Sequence, residues 1–215
     1  MKLFRNLIIA STLAVASASA LADNVTTYTI DPTHTQVYFS WNHVGFSNPG
    51  AAFRDVTGQI KGNHDHPEKS SVEVTIPVKS VDSFVPLLNE HLLNSGDYFK
   101  TADFPTITFR STGIRDIQQK KRHFTLLGDL TVNGITRAVK LQAKANTIGP
   151  HPFYDNAAAA GFQATTTIRR SDFGMGKYAP IVGDDLTVTI TVEAIESQAY
   201  QKALDKQAAA AKSAQ

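Results

Sequence analysis

The seven histidines of this 215-residue chain are its side chains best suited to chemistry near neutral pH, because an imidazole exchanges protons and ligates metals in that range. Two of them stand in the run His64-Asp65-His66, whose spacing could place two imidazoles near one metal ion. The run lies in a polar turn beside Pro67 and lacks a third obvious ligand, which favours a solvated turn. We therefore predict no metal site.

Two further groups of polar residues could contact a ligand. His34 and His43 flank a predicted strand, and either imidazole could bond a ligand head group, although a histidine satisfied by the backbone is the favoured interpretation. Arg169, Arg170 and Asp172 stand together at the end of another predicted strand. A structural ion-pair cluster is favoured there over contact with the polar head of a ligand.

Known catalytic patterns are absent from the sequence. There is no G-x-S-x-G elbow, no H-E-x-x-H pair and no glycine-rich phosphate loop, so we predict no catalytic residues and no cofactor. Without cysteine the chain has no disulfide, no Cys-ligated zinc and no lipid-modified N-terminal Cys. Its 21 basic and 19 acidic residues are spread along the sequence, which argues against a nucleic-acid partner or a single-sign field for an anionic membrane.

Residues 1–22 have the three parts of a secretory signal peptide. Lys2 and Arg5 precede an apolar run at 7–15, and Ala20-Leu21-Ala22 supplies the small-residue end. The apolar run is shorter than the ~20 residues that a membrane-spanning helix needs. We predict cleavage after Ala22 and export to the periplasm, which leaves a single barrel domain at 23–196 and an Ala-rich tail at 197–215.

One-in-two alternation of apolar and polar residues dominates the exported part, as in the stretch from Leu186 to Ala194. Because successive strand side chains point to opposite sides, such strands close their apolar faces around a common interior. Asn133-Gly134 predicts a type I′ hairpin, which favours an antiparallel arrangement. Pro86 and the leucines after it predict a short helix within 81–99, and the tail predicts a surface helix. Eight strands are predicted, at 36–43, 56–62, 71–78, 106–112, 123–132, 138–145, 162–169 and 186–195.

A membrane barrel would show the same alternation as a barrel in water, so the residues on the outward faces must distinguish the two classes. Here they carry Glu73, Lys140, Gln142, Lys144 and Glu193, and aromatic residues stand in mid-strand instead of forming two girdles. We predict an all-β, eight-stranded antiparallel barrel without stable membrane insertion. Such a barrel encloses either packed side chains or one slender ligand.

Four stretches carry a family resemblance, in the same order across nearly all of the exported chain. They read YTIDPTHTQVYF at 28–39, HLLNSGDYF at 91–99 with FPTITFRS at 104–111, GDLTVNGIT at 128–136, and GFQAT at 161–165 with RSDFG at 170–174. Together they resemble the YceI-like family of bacterial periplasmic lipid-binding proteins. The resemblance implies a lipocalin-like barrel whose apolar lumen holds a polyisoprenoid, such as a quinone or polyprenyl lipid, for binding or transport and without catalysis.

The inward faces of the predicted strands give the candidate ligand-binding residues. Periodicity alone favours a closed, dry core formed by these residues; the resemblance favours a ligand cavity. Two alternatives stay open, an exported enzyme acting on an apolar substrate and an interaction module with a filled barrel, and a homodimer stays open too. The candidates are Val37, Phe39, Trp41, His43, Val74, Ile76, Ile107, Phe109, Leu126, Leu130, Val132, Leu141 and Ile190, with Val72, Val139 and Val192 beside them.

Overall fold

Strands make up more than half of residues 24–213, the part of the chain that the computed structural model describes. The predicted signal peptide and its cleavage site fall outside those residues. The two helices are α1 (Pro86–Asn94) and α2 (Ser197–Ser213). The strands are β1 (Val25–Ile30), β2 (Gln36–His43), β3 (Gly50–Phe53), β4 (Thr57–Asn63), β5 (Ser71–Pro77), β6 (Val81–Asp82), β7 (Thr106–Gln118), β8 (His123–Val132), β9 (Ile135–His151), β10 (Ala157–Arg169) and β11 (Val182–Glu196).

The strands form a closed antiparallel barrel. Its ring runs β1-β4-β5-β7-β8-β9-β10-β11 and closes where β11 pairs with β1. Residues 194–196 of β11 pair with β1, and residues 186–191 of the same strand pair with β2. The strands β1 and β2 therefore occupy successive lengths of one edge of β11, and β3 and β6 extend the sheet beyond β2. The predicted eight-stranded antiparallel barrel is confirmed.

All eight predicted strands are present, and three short ones were not foreseen. The missed strands are β1, β3 and β6. In β1 only Tyr28 and Ile30 alternate with threonines, small residues fill most of β3, and β6 has only two residues, so none of them shows a long apolar alternation. Pairing with longer neighbours holds these segments extended, which sequence patterns report poorly.

The β8–β9 hairpin turns at Asn133-Gly134 as predicted. Both residues have positive φ, 52° and 74°, and Val132 pairs with Ile135 across the turn. The Asn133 side chain is buried, and its Nδ2 donates to the carbonyl oxygens of Tyr98 at 2.9 Å and Phe173 at 3.2 Å. The turn thus fastens two loop segments to one end of the barrel.

That end of the barrel is closed. The helix α1 buries Leu92 there, and the loops after α1 and β10 bring in further apolar side chains. We call it the closed end, defined by Phe53, Phe99, Phe173 and Met175, which are all buried in one apolar cluster. The predicted helix within 81–99 is confirmed as α1, and the predicted C-terminal surface helix is confirmed as α2, which buries no residue. Neither of these helices of the described chain has the length and apolar content needed to cross a membrane.

Candidate functional site

The barrel encloses an empty cavity of about 600 Å³. A volume of this size lies in the range of small-molecule binding sites and is far larger than a packing defect. Side chains from β1, β2, β4, β5 and β7 to β11 line it, and they are predominantly apolar. The inward face that alternation predicts is therefore a wall around open space instead of an interdigitated core.

Most of the candidate ligand-binding residues lie on this wall. The exceptions are Trp41 and His43, which do not line the cavity. They share a strand face with Phe39, but β2 runs past the closed end, so Trp41 stacks on the far side of Phe39 with ring centroids 5.9 Å apart and His43 is exposed. The candidates on the wall are Val37, Phe39, Val74, Ile76, Ile107, Phe109, Leu126, Leu130, Val132, Leu141 and Ile190, with Val72, Val139 and Val192.

Sequence reasoning missed several wall residues. Tyr28 and Ile30 belong to the unforeseen strand β1, although they alternate with threonines as an inward face should. Phe162 lies on a predicted strand and contacts Phe124 edge to face, with ring centroids 6.3 Å apart. The closed-end residues come from loops and short strands, where no periodic signal exists.

Aromatic rings form the floor of the cavity. Phe39 lies 5.5 Å from Phe53 and 6.4 Å from Phe99, and Phe53 lies 5.8 Å from Phe99, measured between ring centroids. Rings at these separations and in edge-to-face or offset geometry attract one another beyond their buried area. The floor is therefore a rigid, apolar surface.

The opposite end of the cavity is open and polar. We call it the rim, and a register shift in β7 between Arg115 and Gln118 lies beside it, as β-bulges often do at barrel ends. The rim consists of Asn63, His64, Ile117, Gln119, Arg122, His123 and Ile148.

The wall residue Tyr28 stays neutral, because burial raises the pKa of its hydroxyl. A hydrogen bond with Thr26 lowers that pKa and the charge of Glu196 raises it, each in smaller measure than burial.

The two imidazoles of the His64-Asp65-His66 run have separate partners. His64 Nε2 lies 2.9 Å from the Thr26 hydroxyl, and His66 Nδ1 lies 3.3 Å from Glu68. The backbone N–H groups of residues 65 and 66 both donate to the Asn63 side chain. The run is thus a hydrogen-bonded turn at the rim.

Arg169 and Arg170 have different roles at the closed end, far from the rim. Arg169 is exposed and pairs with Asp172, with its Nη2 3.0 Å from Oδ1. Arg170 is only 4% exposed and donates to the carbonyl oxygens of Lys177 at 2.9 Å, Gly183 at 2.9 Å, Val182 at 2.8 Å and Met175. Its guanidinium therefore organises the segment between β10 and β11, which favours a structural role.

A cluster of titratable groups lies on the outer side of the barrel, where the β1–β2 corner meets β11. His34 Nδ1 lies 2.8 Å from Asp31 Oδ2 and 3.8 Å from Glu193 Oε1, and His151 Nε2 lies 3.1 Å from the same Glu193 oxygen. The first three residues offer metal-type ligand atoms within 4.8 Å of one another. Each already has a hydrogen-bonding or ion-pair partner, so the network accounts for the arrangement without a metal.

The network shifts the pKa values of its members. Burial by itself would raise the pKa of the Asp31 carboxyl, but hydrogen bonds from His34 and Thr33 outweigh it and hold that pKa below its usual 3.8. The hydrogen bond to Asp31 raises the pKa of His34 above 6.5. Burial, with the Asp31 charge adding to it, raises the pKa of Tyr154 to about 12.

These shifts predict how the corner responds to pH. The contribution of His34 is fully present below pH 6.5 and is lost as pH rises through its raised pKa, whereas that of Asp31 is present above 3.8 and is lost as pH falls through its lowered pKa. We expect His34→Gln to lower the unfolding midpoint most between pH 3.8 and 6.5, and progressively less as the pH rises through the raised pKa of His34. Because His34 is largely exposed, the loss should be at most about 1 kcal/mol, or roughly 2–4 °C.

The comparison is made by thermal unfolding across the pH range. His43→Gln is the matched control, since His43 is exposed and outside the network. A His34→Gln penalty that is constant from acidic to alkaline pH would show that the pair with Asp31 does not titrate as described.

The closed antiparallel barrel, its apolar interior and its largely polar rim define a lipocalin-like barrel with an internal cavity. The sequence profile of the YceI-like domain matches residues 28–194, and the chain belongs to that family. A "UPF0312 protein" of Azotobacter vinelandii is 32% identical over 191 residues, which cover 88% of this chain and 95% of the relative.

Two solved structures show the same architecture. The YCEI protein of Campylobacter jejuni is 27% identical, with a TM-score of 0.64 over 72% of this chain and 89% of that one. A polyisoprenoid binding domain from Saccharophagus degradans, implicated in plant cell wall breakdown, is 12% identical, with a TM-score of 0.56 over 80% of this chain and 99% of that one. At this identity the second likeness concerns the fold alone.

Proposed function

We propose that this protein binds an isoprenoid lipid of the quinone or polyprenyl type, with the tail in the barrel cavity and the head group at the rim. The observation that carries the proposal is the cavity of about 600 Å³, whose wall is predominantly apolar and most of whose polar lining residues lie at its opening. The neighbouring fold named as a polyisoprenoid binding domain supports the same ligand class.

The depth of the cavity suits a chain of a few isoprene units. The wall residues of β8 run from Phe124 to Val132, a span of roughly 27 Å at ~3.4 Å per residue. A strand tilt of roughly 40° reduces this to a depth of roughly 20 Å. An extended chain covers roughly 1.2 Å per bond, so about four isoprene units reach from rim to floor.

Apolar contact alone is strong enough for this role. Each buried methylene is worth ~0.8 kcal/mol, so roughly twenty tail carbons give a gross stabilisation of about 16 kcal/mol, against which the costs of ordering and association must be set. We propose that the mature chain, cleaved after Ala22, binds and transports its lipid in the periplasm without catalysis or a cofactor. A homodimer is not required for this role and stays a prediction.

The test is to extract the protein's own ligand. The full-length chain, expressed with its signal in a bacterial host and purified from the periplasm without detergent, should release about one isoprenoid molecule per chain, because such a lipid is nearly insoluble in water and leaves slowly. Mass spectrometry of the organic extract identifies it. Retention should also be nearly independent of salt, since the contact is apolar.

A lipid-free extract from fully folded protein would contradict the proposal. A bound lipid that dissociates at high salt would instead show that its head group, and not its tail, provides most of the affinity.

A further inference from the structure

The rim carries an excess of positive charge that the balanced composition of the chain conceals. Arg115, Lys120, Lys121 and Arg122 lie in or beside the turn between β7 and β8, against the single carboxylate of Asp116. Lys120 and Lys121 are exposed, and within residues 24–213 neither forms an ion pair with a carboxylate. Two adjacent cations thus stand free at the opening of the cavity.

The β7–β8 turn is anchored, so these lysines are held at the rim. Arg122 Nη1 donates to the Asn146 carbonyl at 2.6 Å, and the Arg122 carbonyl accepts from the Ala145 N–H at 2.9 Å. Both bonds tie the turn to β9. The neighbouring β4–β5 loop and the end of β4 carry two carboxylates, Asp65 and Glu68, and two lysines, Lys61 and Lys69. These charges balance one another, so the surplus positive charge comes from the β7–β8 turn.

Exposed apolar side chains accompany the cations. Ile117 is 37% exposed and Ile148 is 54% exposed, and both line the cavity at the rim. Isoleucines in strands are normally buried. Removing the apolar surface of these two from water would be favourable in free energy. Apolar residues flanked by lysine and arginine are typical of surfaces that lie on membrane interfaces.

We infer that the rim docks on an anionic lipid bilayer, with Lys120 and Lys121 over the phosphates and Ile117 and Ile148 among the head groups. In this orientation the cavity opens directly onto the membrane, so an apolar molecule passes between bilayer and barrel without crossing water. The inference extends the proposed lipid-binding function by adding contact with a membrane. It concerns the protein surface, and it is tested without the ligand.

The test is co-sedimentation of the purified protein with isoprenoid-free vesicles at low salt. We expect binding to vesicles of phosphatidylethanolamine with phosphatidylglycerol, loss of that binding at high salt, and none to phosphatidylcholine alone. Lys120→Glu/Lys121→Glu should weaken binding roughly 20-fold or more, because each cation near an anionic surface contributes about fivefold. Ile117→Ser/Ile148→Ser should also weaken it, with charge unchanged.

The matched control is Lys79→Glu/Lys140→Glu, which makes the same charge change at exposed positions away from the rim and should bind like the parent. Thermal unfolding checks that every variant is folded. Failure of the parent to bind anionic vesicles, equal loss in the rim and control variants, or parental binding by Ile117→Ser/Ile148→Ser would each overturn the inference. Ligand extraction is read independently, so either proposal can fail without the other.

Discussion

Ala164→Phe should abolish lipid binding while leaving the barrel folded. Ala164 lines the cavity on β10, opposite Ala143 of β9 and Ile190 of β11, which line it too. A phenyl group there projects into empty space and displaces about six ligand carbons, each worth ~0.8 kcal/mol. We expect affinity for a quinone with four isoprene units to fall by roughly 100-fold or more, with the unfolding midpoint unchanged or raised.

Thr165→Phe provides the control for that substitution. Thr165 is the next residue on the same strand and is exposed on the outer face, so the same ring added there should leave binding as it is in the parent. The two variants are compared by titrating delipidated protein and by thermal unfolding. If Ala164→Phe destabilised the protein and Thr165→Phe did not, position 164 would face a packed core instead of a cavity.

Arg170→Met should cause the largest loss of stability, roughly 3–5 kcal/mol or a decrease of roughly 10 °C in unfolding midpoint. The buried guanidinium donates to four backbone carbonyls between residues 175 and 183. Methionine fills a similar volume but leaves these oxygens without a donor, and an unsatisfied buried acceptor loses its full solvation. Urea unfolding of the parent and the variant measures the difference.

Arg169→Met is the control, because Arg169 is exposed and its ion pair with Asp172 contributes at most about 1 kcal/mol. Similar losses in the two variants would mean that the bonds of Arg170 add little beyond a surface ion pair. Because Arg170 lies at the closed end, its replacement should change ligand binding only if it alters the floor of the cavity.

The sequence predicts the barrel well because alternation is a local property. Each long strand carries its own inward face, and Asn133-Gly134 specifies its turn within two residues. The strand β1 consists of strand-favouring residues but escapes prediction because only Tyr28 and Ile30 mark its inward face. The strands β3 and β6 escape prediction because they are held extended by their neighbours and not by their own composition. Their existence depends on pairing between residues far apart in the chain.

The wall of the cavity follows from the same alternation, but its emptiness does not. Val74 or Leu141 would read identically in a filled core, and only the three-dimensional spacing of the strands shows that side chains from opposite sides fail to meet. Trp41 shows the converse limit: it shares a face with Phe39, yet the end of the lumen lies between them. Where a strand leaves the barrel depends on Phe99 and the other closed-end residues, which come from loops and short strands.

The aromatic floor also determines how a ligand could enter and leave the cavity. In the proposed binding mode, with one end sealed by Phe39, Phe53 and Phe99, a lipid would enter tail first and leave head first through the rim. A barrel with one sealed end is not a channel. It can transfer a molecule between compartments only if the whole protein rotates or diffuses. Because release withdraws the whole tail past the rim, each further isoprene unit within the cavity should multiply the residence time.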